Sequence, residues 1–130
     1  MIIKKIIDIE DECRKVLKDY LNVYVRPLPA EYSLPCILIS ASGGNTANEI
    51  DSPILTIDAR AETDAEAFDY LTTALGILEK QAKEQTGALR NININSLARW
   101  GNDPARPDLK LCTATVIATV HRESFEIDES

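Results

Sequence analysis

The sequence predicts an α+β domain, two helices packed on one face of a mixed, mostly antiparallel five-stranded sheet, in the order α-β-β-β-α-β-β. Three observations predict it. Apolar residues recur with a helical period in two separate stretches, they alternate with polar residues elsewhere, and proline, glycine and asparagine punctuate the gaps. With 130 residues, 45% of them apolar and 27% charged, the chain has the size and composition of a single globular domain over 1–130.

The first helix places Ile3, Ile6, Ile7, Cys13, Val16, Leu17 and Tyr20 near one side of a 3.6-residue period, with Glu10, Asp11, Arg14, Lys15 and Lys18 toward the other. It ends near Asn22, because residues 23–26 are β-prone and Pro27 disfavours helical dihedrals before it. Pro27, Pro29 and Pro35 mark 27–35 as a loop. A strand follows over 36–41, apolar enough to be covered on both faces for most of its length. Gly43-Gly44-Asn45 stops it, and 43–53 reads as a long turn-forming loop. The strand over 54–61 sends Leu55, Ile57, Ala59 and Ala61 one way and Thr56, Asp58 and Arg60 the other.

The second helix opens at Thr63-Asp64-Ala65-Glu66, where a capping hydroxyl is followed three residues later by glutamate. Phe68, Leu71, Leu75, Leu78 and Ala82 continue it as an apolar stripe, and Gly87 supplies the stop. Residues 89–97 alternate again, with Arg90, Ile92, Ile94 and Ser96 opposed to Asn91, Asn93 and Asn95. Their composition makes 97–108 a loop, and the last strand runs from Leu109 to about Arg122. The acidic tail over 123–130 is either frayed or used in contacts.

Chemistry is sparse. Cys13, Cys36 and Cys112 are widely spaced within apolar patterns, as free core thiols are, and with one histidine and no close cysteine pair the chain lacks the ligand spacing of a zinc site, which needs roughly four well-spaced ligands. His121 has no nucleophile motif beside it. The carboxylates gather at helix starts and chain ends, where charge solvates readily. Gly43-Gly44-Asn45 precedes a strand, whereas a phosphate loop opens a helix. The expectation is no enzyme, no cofactor and no metal.

A formal charge of −7 argues against nonspecific DNA binding, which comes from lysines and arginines displacing counterions at phosphates. No apolar stretch approaches the roughly 18 to 20 residues of a membrane-spanning helix. The first ten residues mix charge into their apolar run too often for an export signal, so folding in a cytoplasm is expected. Trp100 reads equally well as a plug on the core edge and as an interface anchor. Arg26 and Arg106 could bear on an acidic neighbour, although solvated arginines are the commoner case.

Several local patterns then fall in order. They are Arg26-Pro27, Pro35 ahead of Cys36-Ile37-Leu38-Ile39, the Gly43-Gly44 pair, Asp51-Ser52-Pro53 ahead of Ile54-Leu55-Thr56-Ile57, and Asp103-Pro104 with Arg106-Pro107 ahead of the final strand. From about Ile7 to Arg122 the chain resembles the tail terminator proteins of long-tailed bacteriophages; Ser52 departs from the basic residue that many relatives carry before the proline.

The resemblance implies a virion structural protein, made in the bacterial host cytoplasm and placed at the neck. There it forms a ring, six copies in the expected form, that caps the finished tail tube, halts its polymerisation and faces the head connector or completion protein. DNA passes through the lumen without specific binding, and no membrane is involved. A closed ring needs two different patches per copy. The interface candidates are Arg26, Gly43, Gly44, Asn45, Asn48, Asp51, Trp100, Asp103 and Arg106. Another neck or head-completion subunit is the nearest alternative, and a small ligand-binding regulatory domain is a more distant one.

Overall fold

The computed structural model describes residues 1–47 and 50–128, with Ala98 and Arg99 described by their backbone alone. Among the described residues the elements are β1 (Ile2–Lys5), α1 (Ile9–Leu17), β2 (Val23–Val25), β3 (Cys36–Ala47), β4 (Ile50–Ala61), α2 (Asp64–Glu84), β5 (Leu89–Asp103), β6 (Arg106–His121) and β7 (Glu123–Glu126). They form a main sheet in the order β2-β3-β4-β6-β5 and a two-stranded ribbon of β1 and β7. β2 runs parallel to β3, and every other pairing is antiparallel. The class is α+β as predicted, but the strands number seven in two sheets, in place of five in one.

Alternation decides which face of the main sheet is covered. Ile37 and Ile39 of β3, Leu55, Ile57, Ala59 and Ala61 of β4, and Cys112, Ala114, Val116, Ala118 and Val120 of β6 are all buried. They form one core with residues of both helices, which therefore lie on the same side. Helix α1 contributes Ile9, Cys13 and Leu17. Helix α2 contributes Ala67, Leu71, Ala74, Leu75, Leu78 and Ala82. The opposite face carries half-buried Leu38, Ser40, Thr56, Thr115, Ile117 and Thr119, with Asp58 accepting a hydrogen bond from Thr113 Oγ1 at 2.6 Å.

The three cysteines are free and buried, in line with their sequence pattern. Thr63 caps α2 as expected, its Oγ1 accepting from the Glu66 N–H at 3.2 Å. The helix stops at Gln85, which takes a left-handed conformation two residues before the expected Gly87.

Several elements depart from the sequence reading. Residues 2–5 are a strand, not the first turn of a helix; α1 begins only after Asp8, whose carboxylate accepts from the Asp11 N–H at 3.2 Å. Of the apolar set assigned to the first helix, Ile3 belongs to β1, while Ile6 and Tyr20 are exposed. Phe68, expected in the core stripe of α2, is exposed too; Ala67 occupies the buried position beside it. The acidic tail is neither frayed nor irregular over Glu123–Glu126, because it pairs with β1.

The two long loops, 43–53 and 97–108, are the arms of extended hairpins. Pro53 sits in a strand without breaking it, because the β3–β4 ladder shifts register between Ser42 and Gly44 and the β4–β6 pairing skips Ser52 and Pro53. Pro107 is tolerated likewise: between the Asn102–Lys110 and Asp103–Arg106 pairs, residues 107–109 have no partner on β5. Pro104 and Ala105 make the two-residue connection.

Gly44 is fixed by two constraints at once. Its φ is +113°, and an added Cβ would lie 2.3 Å from the Ser52 carbonyl oxygen and 2.7 Å from Pro53 Cα. Gly44→Ala is expected to destabilise the fold by about 2 kcal/mol or more in urea denaturation. Gly76 lies within α2 with open space where a Cβ would go, so Gly76→Ala is expected to stabilise by about 1 kcal/mol. Equal effects of the two substitutions would contradict the assigned backbone geometry.

Candidate assembly surfaces

Apart from Arg26, which lies midway at the level of Ala41, the candidate residues divide between opposite ends of the main sheet. Trp100 pairs with Cys112 on β6, whereas Asp51 pairs with Val120. Eight residues of β6 separate those levels, roughly 26 Å at the usual strand rise. Asn48 lies outside the described residues.

At the first end, Gly43, Gly44 and Asn45 border a groove of about 220 Å³ together with Ile6, Ile7 and Pro53. Asp51 does not face outward. It is buried on β4, where Arg122 grips its carboxylate in a fork, Nε to Oδ2 and Nη2 to Oδ1, each at 3.1 Å. The same Nη2 donates to Thr46 Oγ1 at 2.6 Å, so one guanidinium ties β3 and β4 to the end of β6. The hydrogen bonds from Arg122, then from Thr46, hold the Asp51 carboxyl below the ordinary carboxylate range.

Arg26 is committed within the chain as well. Its Nη2 donates to Glu10 Oε2 at 2.6 Å and to the Ala41 carbonyl at 3.1 Å, while the same Glu10 oxygen accepts from the Ala41 N–H at 2.8 Å. Glu10 and Arg26 thereby strap α1 to the β2–β3 edge.

At the other end, Asp103 is buried where the β5–β6 hairpin turns. Arg60 Nε and the Tyr32 hydroxyl each lie 3.5 Å from its Oδ2, and the Ala105 N–H donates to Oδ1 at 2.9 Å. Burial alone would raise its carboxyl. The Ala105 N–H, the Arg60 charge and hydrogen bond, and the Arg106 N–H outweigh that and leave it lowered. Arg106 is exposed beside Asp108, at 3.5 Å.

Trp100 resolves into something between its two readings. It lies on the helix-side face of the edge strand β5 yet remains 52% exposed, and its ring meets that of Phe68, itself 40% exposed, at 5.9 Å between centroids and 30° between planes. Two large aromatic rings thus share one partly wet patch at the rim of the core.

Sequence reasoning missed Phe68, because its spacing fits the core stripe. It also missed Arg60 and Arg122, whose acidic partners are 43 and 71 residues away. Among the described residues no cluster of histidine, cysteine or carboxylate could hold a metal ion, and no helix is long and apolar enough to cross a membrane. Comparison with protein-family models and with curated proteins finds no match for this chain.

The Asp51–Arg122 fork makes a signed pH prediction. A depressed folded-state carboxyl contributes stability above its unfolded value, and that contribution is lost as pH falls through the folded value. Thermal stability is expected to drop on acidification below about pH 4. Asp51→Asn is expected to lower stability at neutral pH by about 1 to 3 kcal/mol and to flatten part of that acid slope. An unchanged slope in calorimetry would remove Asp51 from the groups responsible.

Proposed function

We propose that this chain is a structural subunit of a phage neck, assembling head-to-tail into a six-membered ring that caps the tail tube, ends its polymerisation and presents a surface to the head connector. Copies act by fitting to one another and to a tube tip, and no bond is made or broken. The ring sits in the virion after assembly in the host cytoplasm.

The observation that carries this reading is the half-exposed aromatic pair in which Trp100 of β5, an edge strand of the main sheet, meets Phe68 of α2. Exposed edge strands invite pairing unless covered, and tryptophan is enriched among residues that dominate interfaces. Added support comes from the inner order α1-β2-β3-β4-α2-β5-β6, which is the order the resemblance implies, with β1 and β7 as additions flanking it. The chain's charge of −7 suits a ring through which DNA slides without adhering.

The buried ion pairs take a supporting part. Asp51 and Asp103 stiffen the two hairpin ends that approach neighbouring molecules, and Gly43, Gly44 and Asn45 shape the surface of one of them. Another neck component would share much of this surface, and the choice of partner separates the two. A terminator binds tube ends and halts elongation, whereas an adaptor binds the portal side.

Purified chain added to polymerising tail tubes is expected to cap them and fix their length. Trp100→Ala is expected to weaken ring formation by about tenfold or more in sedimentation, with the fold unchanged by circular dichroism. Rings of undiminished stability would remove Trp100 from the interface, and tubes that elongate freely would argue against capping.

A further inference from the structure

The outer strand of the main sheet carries a hazard that no further strand covers. From Asn91 to Ala98 the chain is free of charge and of proline, and it begins by alternating asparagine with isoleucine. Uncharged, proline-free strand segments of roughly six or seven residues are the kind that stack with copies of themselves, asparagines into ladders and apolar side chains into dry seams. Here the segment lies on β5, where one row of backbone groups has no strand beside it. Asn91, Asn93, Asn95 and Leu97 are exposed.

The pairing of β5 with β6 sets an obstacle against such stacking. Leu89 opposes Val120 but Asn91 opposes Thr119, so Arg90 is an extra residue. Asn95 is extra in the same way between the Ile94–Val116 and Ser96–Thr115 pairs, and Leu97 and Ala98 together span the single residue Ala114. Each is a bulge on the edge strand, bending it and breaking the spacing of its outward groups. The regular run left within the segment is Asn91–Ile94, four residues, which is short of the roughly six that stacking needs. The first bulge is also pinned, because Arg90 Nη1 donates to the Gln85 and Gly87 carbonyls.

The placement of the register shifts is selective. β4 and β6, each flanked by strands on both sides, hold one register from Ile50–His121 to Ala61–Lys110. β3 shifts against β4 between Ser42 and Gly44, beyond Ile39, the last residue that β2 pairs. The shift at Asn102 and Asp103 leaves 107–109 of β6 extra, outside Lys110, where pairing with β4 ends. Among the described residues, every shift in the main sheet thus lies on a length of strand with one open side.

We propose that the β5 bulges are a guard that closes this edge to strand addition by other copies of the chain. The inference goes beyond the ring reading and does not need it. A neighbour that docks here, as that reading has it, meets the Trp100 and Phe68 rings and does not extend the sheet.

The test deletes Asn95 and Ala98 from the full chain. Ile94 opposes Val116 and Ser96 opposes Thr115, on opposite faces, so the deletions leave flanking side chains on the faces they now occupy. They turn Asn91–Asn102, twelve positions less the two removed, into one regular run of ten. With a melting transition retained, the variant is expected to assemble at a concentration about tenfold or more below that of the native chain. The assemblies are expected to bind thioflavin and to show the infrared band of intermolecular strands, and adding Asn93→Lys is expected to reverse both. The native chain, associated or not, is expected to show neither signal.

A folded double deletion that behaves like the native chain overturns the inference, as does an intermolecular strand band from the native chain. If the double deletion unfolds, removal of Ala98 alone decides in its place, since it joins Ser96 to Asn102 in a regular run of six. Strand assembly by that variant supports the guard, and its absence overturns it. The capping assay is independent: tubes that elongate freely leave the guard standing, and a failed guard leaves capping untouched.

Discussion

Small side chains where helix meets sheet are the constraint on which the remainder of the structure depends. Helix α2 turns Ala67, Ala74 and Ala82 inward, and the sheet answers with Ala59, Ala61, Ala114 and Ala118, all buried. Alanine lets two backbones approach closely, and the leucines and isoleucines between them fill what space is left. Larger residues at those positions would lift the helix from the sheet and expose the leucines it covers. That close seating brings the start of α2 to the β5 edge, and so brings Phe68 against Trp100.

Two buried carboxylates, each held by a partly buried guanidinium, then tie down the ends of the main sheet. Arg122 clamps Asp51 at one end and Arg60 meets Asp103 at the other, each joining strands that are distant in sequence. Breaking a buried pair leaves an uncompensated charge, so both ends are fixed more firmly than their glycine and proline content suggests. The two hairpin ends are therefore fixed, with α1 strapped independently through Glu10 and Arg26.

What was legible in the sequence follows from the range of the interactions involved. Alternation in β4 and β6, the period of α2 and the Thr63 cap are local and could be read directly. The hairpin arms could not, because Gly43, Gly44, Pro53 and Pro107 look like breakers unless the register shifts that absorb them are known. The ribbon pairs residues more than 115 positions apart, so nothing near Ile2 announces a strand. Trp100 was singled out as a candidate, but its partner was hidden because Phe68 keeps perfect helical spacing while lying on the rim. Asp51 and Asp103 were singled out too, and both proved to be internal ties, a distinction that only the positions of Arg122 and Arg60 could make.

The ribbon has a mechanical consequence. Met1 and Ile127 lie side by side at its outer end, so tension applied at those two residues pulls the strands apart sideways and loads their hydrogen bonds one after another. Bonds loaded in series yield at low force, like the teeth of a zipper, whereas the long antiparallel ladder of β4, β6 and β5 shares a load along its length. The ribbon is thus a mechanical fuse: a tug on the chain ends opens it first and leaves the main sheet undisturbed.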